Sequence, residues 1–270
     1  MKKILILSLW GALCGTFTLA QAFAAPPLNT ADRGRSAAAA WKATDLGFHD
    51  SMSNMKIDLI DKSGQTSVRS LHMKVLEKPT AETGDQILMR FVAPRNVKGT
   101  SVLIHSKVGT SDDVWLLLPA LRRTKRIAAA DKSGSFAGSE FSYEDIGSME
   151  LANYKYEWLG EEACDQLTCA IVKQTPLYPY SGYNFIIVRY DTSQFRQMKI
   201  EFFDRKDQLV KTLQLGGYQK YKNKHWRAET MSMSNHITGK KSILKMTDYK
   251  FGIGLLAREF RPRQLKELLD

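Results

Sequence analysis

Apolar residues recur at every second position through most of this chain, in runs separated by turn signals. Met55, Ile57 and Leu59 share one parity and Lys56 and Asp58 the other, before a turn at Asp61-Lys62-Ser63-Gly64. Leu71, Met73 and Val75 alternate with Ser70, His72 and Lys74, and Ile87, Met89 and Phe91 lie opposite Gln86 and Arg90. Period two puts successive side chains on opposite faces of a strand, so the pattern specifies half-buried strands joined by short turns. It predicts further strands at 100–105, 114–119, 154–161, 167–174, 183–191, 195–204, 208–215, 225–234 and 241–251. About ten or eleven strands in one meander are too many for a flat open sheet. The expected fold is mainly β, a single antiparallel sheet curled into a half-barrel.

Two segments break the alternation and are expected to cover the concave face. Leu28 to Phe48 reads as a helix, with Asn29 or Thr30 as cap, Ala37 to Ala40 as strong helix formers and Gly47 at the stop. The other is a central loop of small residues and spaced aromatics, from Ser133 to Ile146. No composition shift or linker divides the chain, so residues 25–270 are expected to form one domain.

Residues 1–24 read as a signal peptide. Lys2 and Lys3 precede an apolar run from Ile4 to Ala20, and Ala22-Phe23-Ala24 fits the cleavage rule, placing cleavage after about Ala24. Cys14 lies inside the leader behind Leu13, which does not fit a lipoprotein cleavage box, so it is expected to be discarded. Export to an oxidising compartment then favours a disulfide between Cys164 and Cys169 across a hairpin turn. Of the formal charge of +11, Lys2 and Lys3 belong to the leader and the rest stays. In an envelope compartment this basic balance suits anionic headgroups or an acidic partner rather than nucleic acid.

The most distinctive stretch follows Val114-Trp115-Leu116-Leu117-Leu118-Pro119 and the cluster Arg122-Arg123-Thr124-Lys125-Arg126. It is the run Gly134-Ser135-Phe136-Ala137-Gly138-Ser139-Glu140-Phe141-Ser142-Tyr143-Glu144-Asp145-Ile146. This order resembles the outer-membrane lipoprotein-sorting protein family, the LolA-like periplasmic carriers, and in particular its larger branch. That branch more often carries Asp where this chain has Glu140. The resemblance covers most of the chain after the leader. It implies a periplasmic carrier of lipid or lipoprotein cargo, a membrane-embedded donor and an outer-membrane acceptor. The branch is associated with lipid exporters of the resistance-nodulation-division type.

Catalytic constellations are not found. The histidines at 49, 72, 105, 225 and 236 include no pair at the i, i+4 spacing of a helical zinc site. Gly134-Ser135-Phe136-Ala137-Gly138 has its serine one place early for a hydrolase elbow. Glu144 and Asp145 are neighbours in sequence, which suits solvation or capping better than paired acid–base work. No metal or cofactor and no enzyme activity is expected.

What remains is a set of soft apolar residues at alternating strand positions. Methionine adapts to irregular shapes, so such a face suits acyl chains as well as an ordinary core. With the apolar face pointing inward, the cavity would be lined by Met55, Ile57, Leu71, Met73, Met89, Phe91, Leu103, Trp115, Leu117, Ile186, Met198, Ile200 and Trp226. Phe136, Phe141, Tyr143 and Ile146 would either pin the loop to the core or form a lid. Arg122, Arg123, Lys125 and Arg126 would guard a strand edge or dock to headgroups. Further basic clusters lie at Lys220, Lys222, Lys224 and Arg227 and at Lys240, Lys241 and Lys245. Two functions fit, a monomeric lipid or lipoprotein carrier and a non-catalytic accessory subunit of an envelope complex with a filled core.

Overall fold

The computed structural model describes residues 29–78, 80 and 82–268. The leader, its cleavage point and Cys14 lie outside the described residues. Thirteen strands are present among them. The first six are β1 (Asp50–Ile60), β2 (Thr66–Leu76), β3 (Thr83–Ala93), β4 (Ser101–Lys107), β5 (Asp113–Leu118) and β6 (Arg123–Ile127). The second group is β7 (Tyr154–Cys164), β8 (Leu167–Pro176), β9 (Phe185–Asp191), β10 (Gln197–Phe203), β11 (Leu209–Tyr221), β12 (His225–Asn235) and β13 (Lys241–Phe251).

They form one antiparallel sheet in the order β6-β5-β4-β3-β2-β1-β13-β12-β11-β10-β9-β8-β7. Sequential hairpins build each half, and β1 pairing with β13 joins them. Thus β6 and β7, neighbours in sequence, are the two edges of the sheet. The connection between them, residues 128–153, crosses the concave face from rim to rim; we call it the strap. The strand count exceeds the sequence expectation partly because β6 is the basic cluster itself. Its burial is low along its length, so nothing in its hydropathy marks it as a strand.

The alternation falls on the faces as the pleat requires. A row of paired residues runs Met246, Met55, Leu71 and Phe91 across four strands. These four are buried in a cluster that also takes in Phe136 and Phe141 of the strap. Burying a side chain of this size contributes about 1.5–3 kcal/mol.

Helix α1 (Thr30–Asp45) is capped by the Asn29 side chain, which accepts from the Asp32 amide at 2.9 Å. It lies along β7 through small residues. A Cβ on Gly34 would sit 3.1 Å from the backbone of Glu157 and Trp158, so the helix approaches closely only because that atom is missing. Ala37 and Ala38 are buried beside it, and the Arg33 guanidinium sits 4.2 Å from the Trp158 ring centroid. At the far end of α1, buried Lys42 pairs with Glu150 of the strap at 3.1 Å and donates to Ser148. Helix and strap are thereby joined across the concave face.

The convex face carries a smaller cluster. Leu88, Leu103 and Leu117 pack there with Phe260 and Leu265 from the C-terminal segment, beside partly buried Trp115. Leu265 belongs to α3 (Gln264–Glu267). Nε2 of His105 lies 2.7 Å from the Phe260 carbonyl oxygen, which fixes the segment in place. Cys164 and Cys169 are disulfide-bonded with Cα atoms 5.8 Å apart, across the β7–β8 turn.

Candidate functional site

The strap explains the motif residue by residue. Phe136 is fully buried, with its ring 6.0 Å from Phe91 and 5.8 Å edge-on from Tyr143. Ala137 and Gly138 both have positive φ, 54° and 77°, which turns the chain back so that the Phe136 amide donates to the Phe141 carbonyl at 2.7 Å. Phe141 is the second buried anchor. Ser142 and Asp145 then form a reciprocal capping box on the short helix α2 (Tyr143–Ile146).

Three carboxylates tie the strap to the sheet and its connections. Glu140 accepts from the Asn235 amide at 2.6 Å, and its own backbone N–H donates to Ser242 at 3.0 Å. Glu144 accepts from the Tyr178 hydroxyl at 2.7 Å, the Ser181 hydroxyl and the Gly182 amide. Glu144 is therefore a tether to the β8–β9 connection rather than a solvated residue. Asp145 caps α2 and also accepts from the Tyr183 hydroxyl at 2.7 Å and from Lys211.

These contacts close one end of the concave face, where the β8–β9 and β12–β13 connections lie. The opposite end, where the β9–β10 and β11–β12 connections lie, is open. A cleft of about 320 Å³ runs there between α1 and the sheet. Its walls include Trp41 of α1, Met73 and Ile87, Leu213 and Leu215, and Met231. Trp226, Tyr218, Arg196 and Arg227 line it at the end that carries the β9–β10 and β11–β12 connections. A smaller space of about 80 Å³ under the strap shares Met149, Ile200 and Leu213 with it. The volume falls in the range of about 300–1,000 Å³ usual for ligand sites.

Polar side chains also line the cleft, from α1, the strap and the open end. Asp45 pairs with Arg227 at 2.6 Å. Asp85 has no hydrogen-bond partner among the described residues, and burial pushes its carboxyl up to about 7 against the attraction of Lys42. On the strap side, burial raises Asp112 to about 6. No cluster of His, Cys, Asp and Glu that could hold a metal exists among the described residues. No helix of the described residues is long and apolar enough to cross a membrane.

The expected cavity residues divide into three groups. Met73, Ile200 and Trp226 line the open cleft, and Ile186 the smaller space beside it. Met55, Ile57, Leu71, Met89 and Phe91 lie on the same face but are buried in the cluster that includes Phe136 and Phe141. The remainder are corrections. Leu103, Trp115 and Leu117 face the convex side, because β4 and β5 are apolar on both faces and the C-terminal segment covers one of them. Met198 turns outward because a bulge between Gln197 and Lys199 shifts the register, leaving Gln197 in the cleft instead.

Of the lid residues, Phe136 and Phe141 are buried anchors, while Tyr143 and Ile146 pack partly buried against them. In β6, Arg123 and Lys125 are exposed, and Arg126 bonds Asp113 beside the Trp115 ring. Residues overlooked in the sequence include Trp41, Gln197, Leu213, Leu215 and Tyr218. The alternation of Leu213 with Leu215, paired with Met233 and Met231, carried the signal for two of them.

The comparisons with known proteins agree with this architecture. A family model described only as an uncharacterized protein matches residues 83–267. No curated protein matches the sequence. An outer membrane lipoprotein-sorting protein domain from Vibrio parahaemolyticus is 40% identical over 87% of this chain and 99% of its own, with a TM-score of 0.84. The chain belongs to the outer-membrane lipoprotein-sorting protein family. A DUF1329 family protein from Desulfovibrio piger is 25% identical over 88% of this chain and all of its own (100%), with a TM-score of 0.83. A LolA superfamily protein from Nitrosomonas europaea, at 17% identity and a TM-score of 0.67 over 84% of this chain and 97% of its own, shares the fold. The lipoprotein-sorting fold is thus present here in its half-barrel form.

Proposed function

We propose that this chain is a periplasmic carrier that binds the acyl chains of a lipid or lipoprotein in the cleft between α1 and the sheet. The observation that carries the reading is an apolar cleft left open at one end of a concave face whose other end is filled. Each methylene buried there contributes about 0.8 kcal/mol, so part of one chain binds firmly yet reversibly. The surface facing the cleft is mainly apolar, which suits carriage rather than bond chemistry. In this reading the mature chain starts near Ala25, an inner-membrane transporter, of the resistance-nodulation-division type in this branch, donates cargo, and an outer-membrane acceptor receives it. The strap acts as the lid, with Phe136 and Phe141 withdrawing to lengthen the cleft. Arg122, just before β6, and Arg123, Lys125 and Arg126 on it dock to an anionic membrane surface.

Native mass spectrometry of the gently purified protein tests the reading, together with titration of the lipid-stripped protein by a neutral fluorescent acyl probe. Saturable binding that a cleft-filling Leu215→Trp weakens at least tenfold is expected. A protein that never carries lipid and takes up no probe would be an accessory subunit instead.

A further inference from the structure

The carrier reading says nothing of the cargo's polar end, and Arg196 supplies an answer. This residue immediately precedes β10, at the end of the β9–β10 connection, and lines the open end of the cleft. Its position is fixed from two sides. Nε donates to Asp191 at 2.8 Å, and the guanidinium lies 4.8 Å from the Trp226 ring centroid and 5.4 Å from that of Tyr218. Its two terminal nitrogens make no hydrogen bond among the described residues. The side chain is only 17% exposed, so this is a half-buried, pre-positioned fork with its outer edge unspent.

Asp191 pairs with Arg196 through Nε alone, which leaves the outer edge of the guanidinium free to bond. Asp191 is fully buried and also accepts from Ser193, Gln194 and the Arg196 backbone, so its carboxylate belongs to the turn. Burial alone would raise the Asp191 pKa; the hydrogen bonds from Arg196 and Ser193 hold it below the usual value, and the group stays ionised. The other acids lining the cleft are matched or weakened. Asp45 is held by Arg227, Asp145 by Tyr183 and Lys211, and Asp85 is largely protonated below neutral pH. Lys220 shares the Trp226 ring with Arg196, 5.5 Å from its centroid. Lys222 and Lys224 follow on the β11–β12 hairpin, where Lys224 donates to the Leu46 carbonyl.

A planar fork at the end of an apolar cleft matches a phosphate whose attached chains enter that cleft. We infer that Arg196, backed by Trp226 and Tyr218 and assisted by Lys220, binds the phosphate headgroup of an anionic lipid whose acyl chains occupy the cleft. The inference rests on the carrier reading and adds the headgroup class and the direction of insertion: tails toward the strap, phosphate toward the β9–β10 and β11–β12 connections.

Isothermal titration of the lipid-stripped full chain with three probes tests it. The probes are dihexanoyl phosphatidylglycerol, dihexanoylglycerol and inorganic phosphate. The phosphatidylglycerol should bind about tenfold or more tighter than the glyceride, in line with a charged hydrogen-bonded pair. Arg196→Gln should reduce that preference to within about twofold. Arg196→Lys keeps a cation for Asp191 but lacks the fork, so it should lose most of the preference in a protein that retains its fold. Equal binding of the two lipids by the wild type, or an unchanged preference in both variants, overturns the headgroup assignment and leaves the carrier reading standing. Inorganic phosphate competing as well as the lipid overturns it in favour of a simple anion site. Failure of both lipids to bind ends the carrier reading and the assignment with it.

Discussion

The two ends of the concave face are made by the same strands and differ in what covers them. At one end the strap descends, plants Phe136 and Phe141 among Phe91, Met89 and their neighbours, and is tied down by Glu140 and Glu144. At the other, α1 stands off the sheet, and Trp41, Met73, Leu215 and Met231 face open space. The comparison shows that apolar alternation alone does not make a cavity. A concave sheet offers a hydrophobic surface throughout, and the covering segment decides whether each part becomes core or cleft.

The sharpest way to break the comparison is to truncate one anchor at each end. Phe136→Ala should cost about 3–5 kcal/mol of stability in urea unfolding, as for a fully buried aromatic. Met231→Ala in the cleft should cost about 1 kcal/mol or less, since part of its surface already faces a void. Equal losses would mean that the cleft is packed in solution.

Next in size is the tether. Glu144→Ala strands the Gly182 amide and removes the acceptor of the Tyr178 and Ser181 hydroxyls, and should cost about 1–3 kcal/mol. Hydrogen exchange should rise in residues 133–146 and not in α1; equal exchange in both would unseat the view that each end is covered independently.

Two buried carboxylates make stability depend on pH. Asp85 in the cleft has its carboxyl raised to about 7 by burial, against an ordinary 3.8. The folded state thus holds a proton that the unfolded chain releases between pH 4 and 7. Stability on that account falls as pH rises through this window and levels above it. Asp85→Asn should match the wild type near pH 4 and exceed it at pH 8, by no more than about 4 kcal/mol. A slope of the same sign should remain in the variant up to pH 6, from Asp112, which burial raises to about 6 on the strap side. A variant no more stable at pH 8 would show that Asp85 is hydrated.

At the sheet edge the expected effect is on docking rather than on the fold. Reversing the exposed charges with Arg123→Glu and Lys125→Glu should weaken binding to vesicles containing phosphatidylglycerol by roughly 1 kcal/mol per charge. Fold stability should change little. Unchanged vesicle binding removes β6 from the docking proposal.

How much of this could be read in advance depended on contrast between faces. In β1, β2 and β3 polar residues alternate with apolar ones, and the inward set Met55, Ile57, Leu71, Met73, Met89 and Phe91 follows directly. In β4 and β5, Val102-Leu103-Ile104 and Val114-Trp115-Leu116-Leu117 are apolar on both sides. Parity there carries no direction, because the cover for the outer face arrives with Phe260 and Leu265, more than a hundred residues later. Met198 failed for a different reason. One bulge between Gln197 and Lys199 inverts the facing of a residue that the pattern put inside. The cleft itself was the least legible part, since its existence depends on where α1 stands. That distance is set by Gly34, Ala37 and Ala38 against β7, a packing detail with no periodic signature.

Because β6 and β7 are consecutive in the chain yet form opposite rims, the strap works like a cord across the mouth of a bowl. It is fastened at both lips and pressed to the floor between them by Phe136. Lifting it releases length, and length released lets the lips part. The gape of the bowl and the depth available to a guest are therefore one mechanical variable, so filling and opening the bowl rise or fall together.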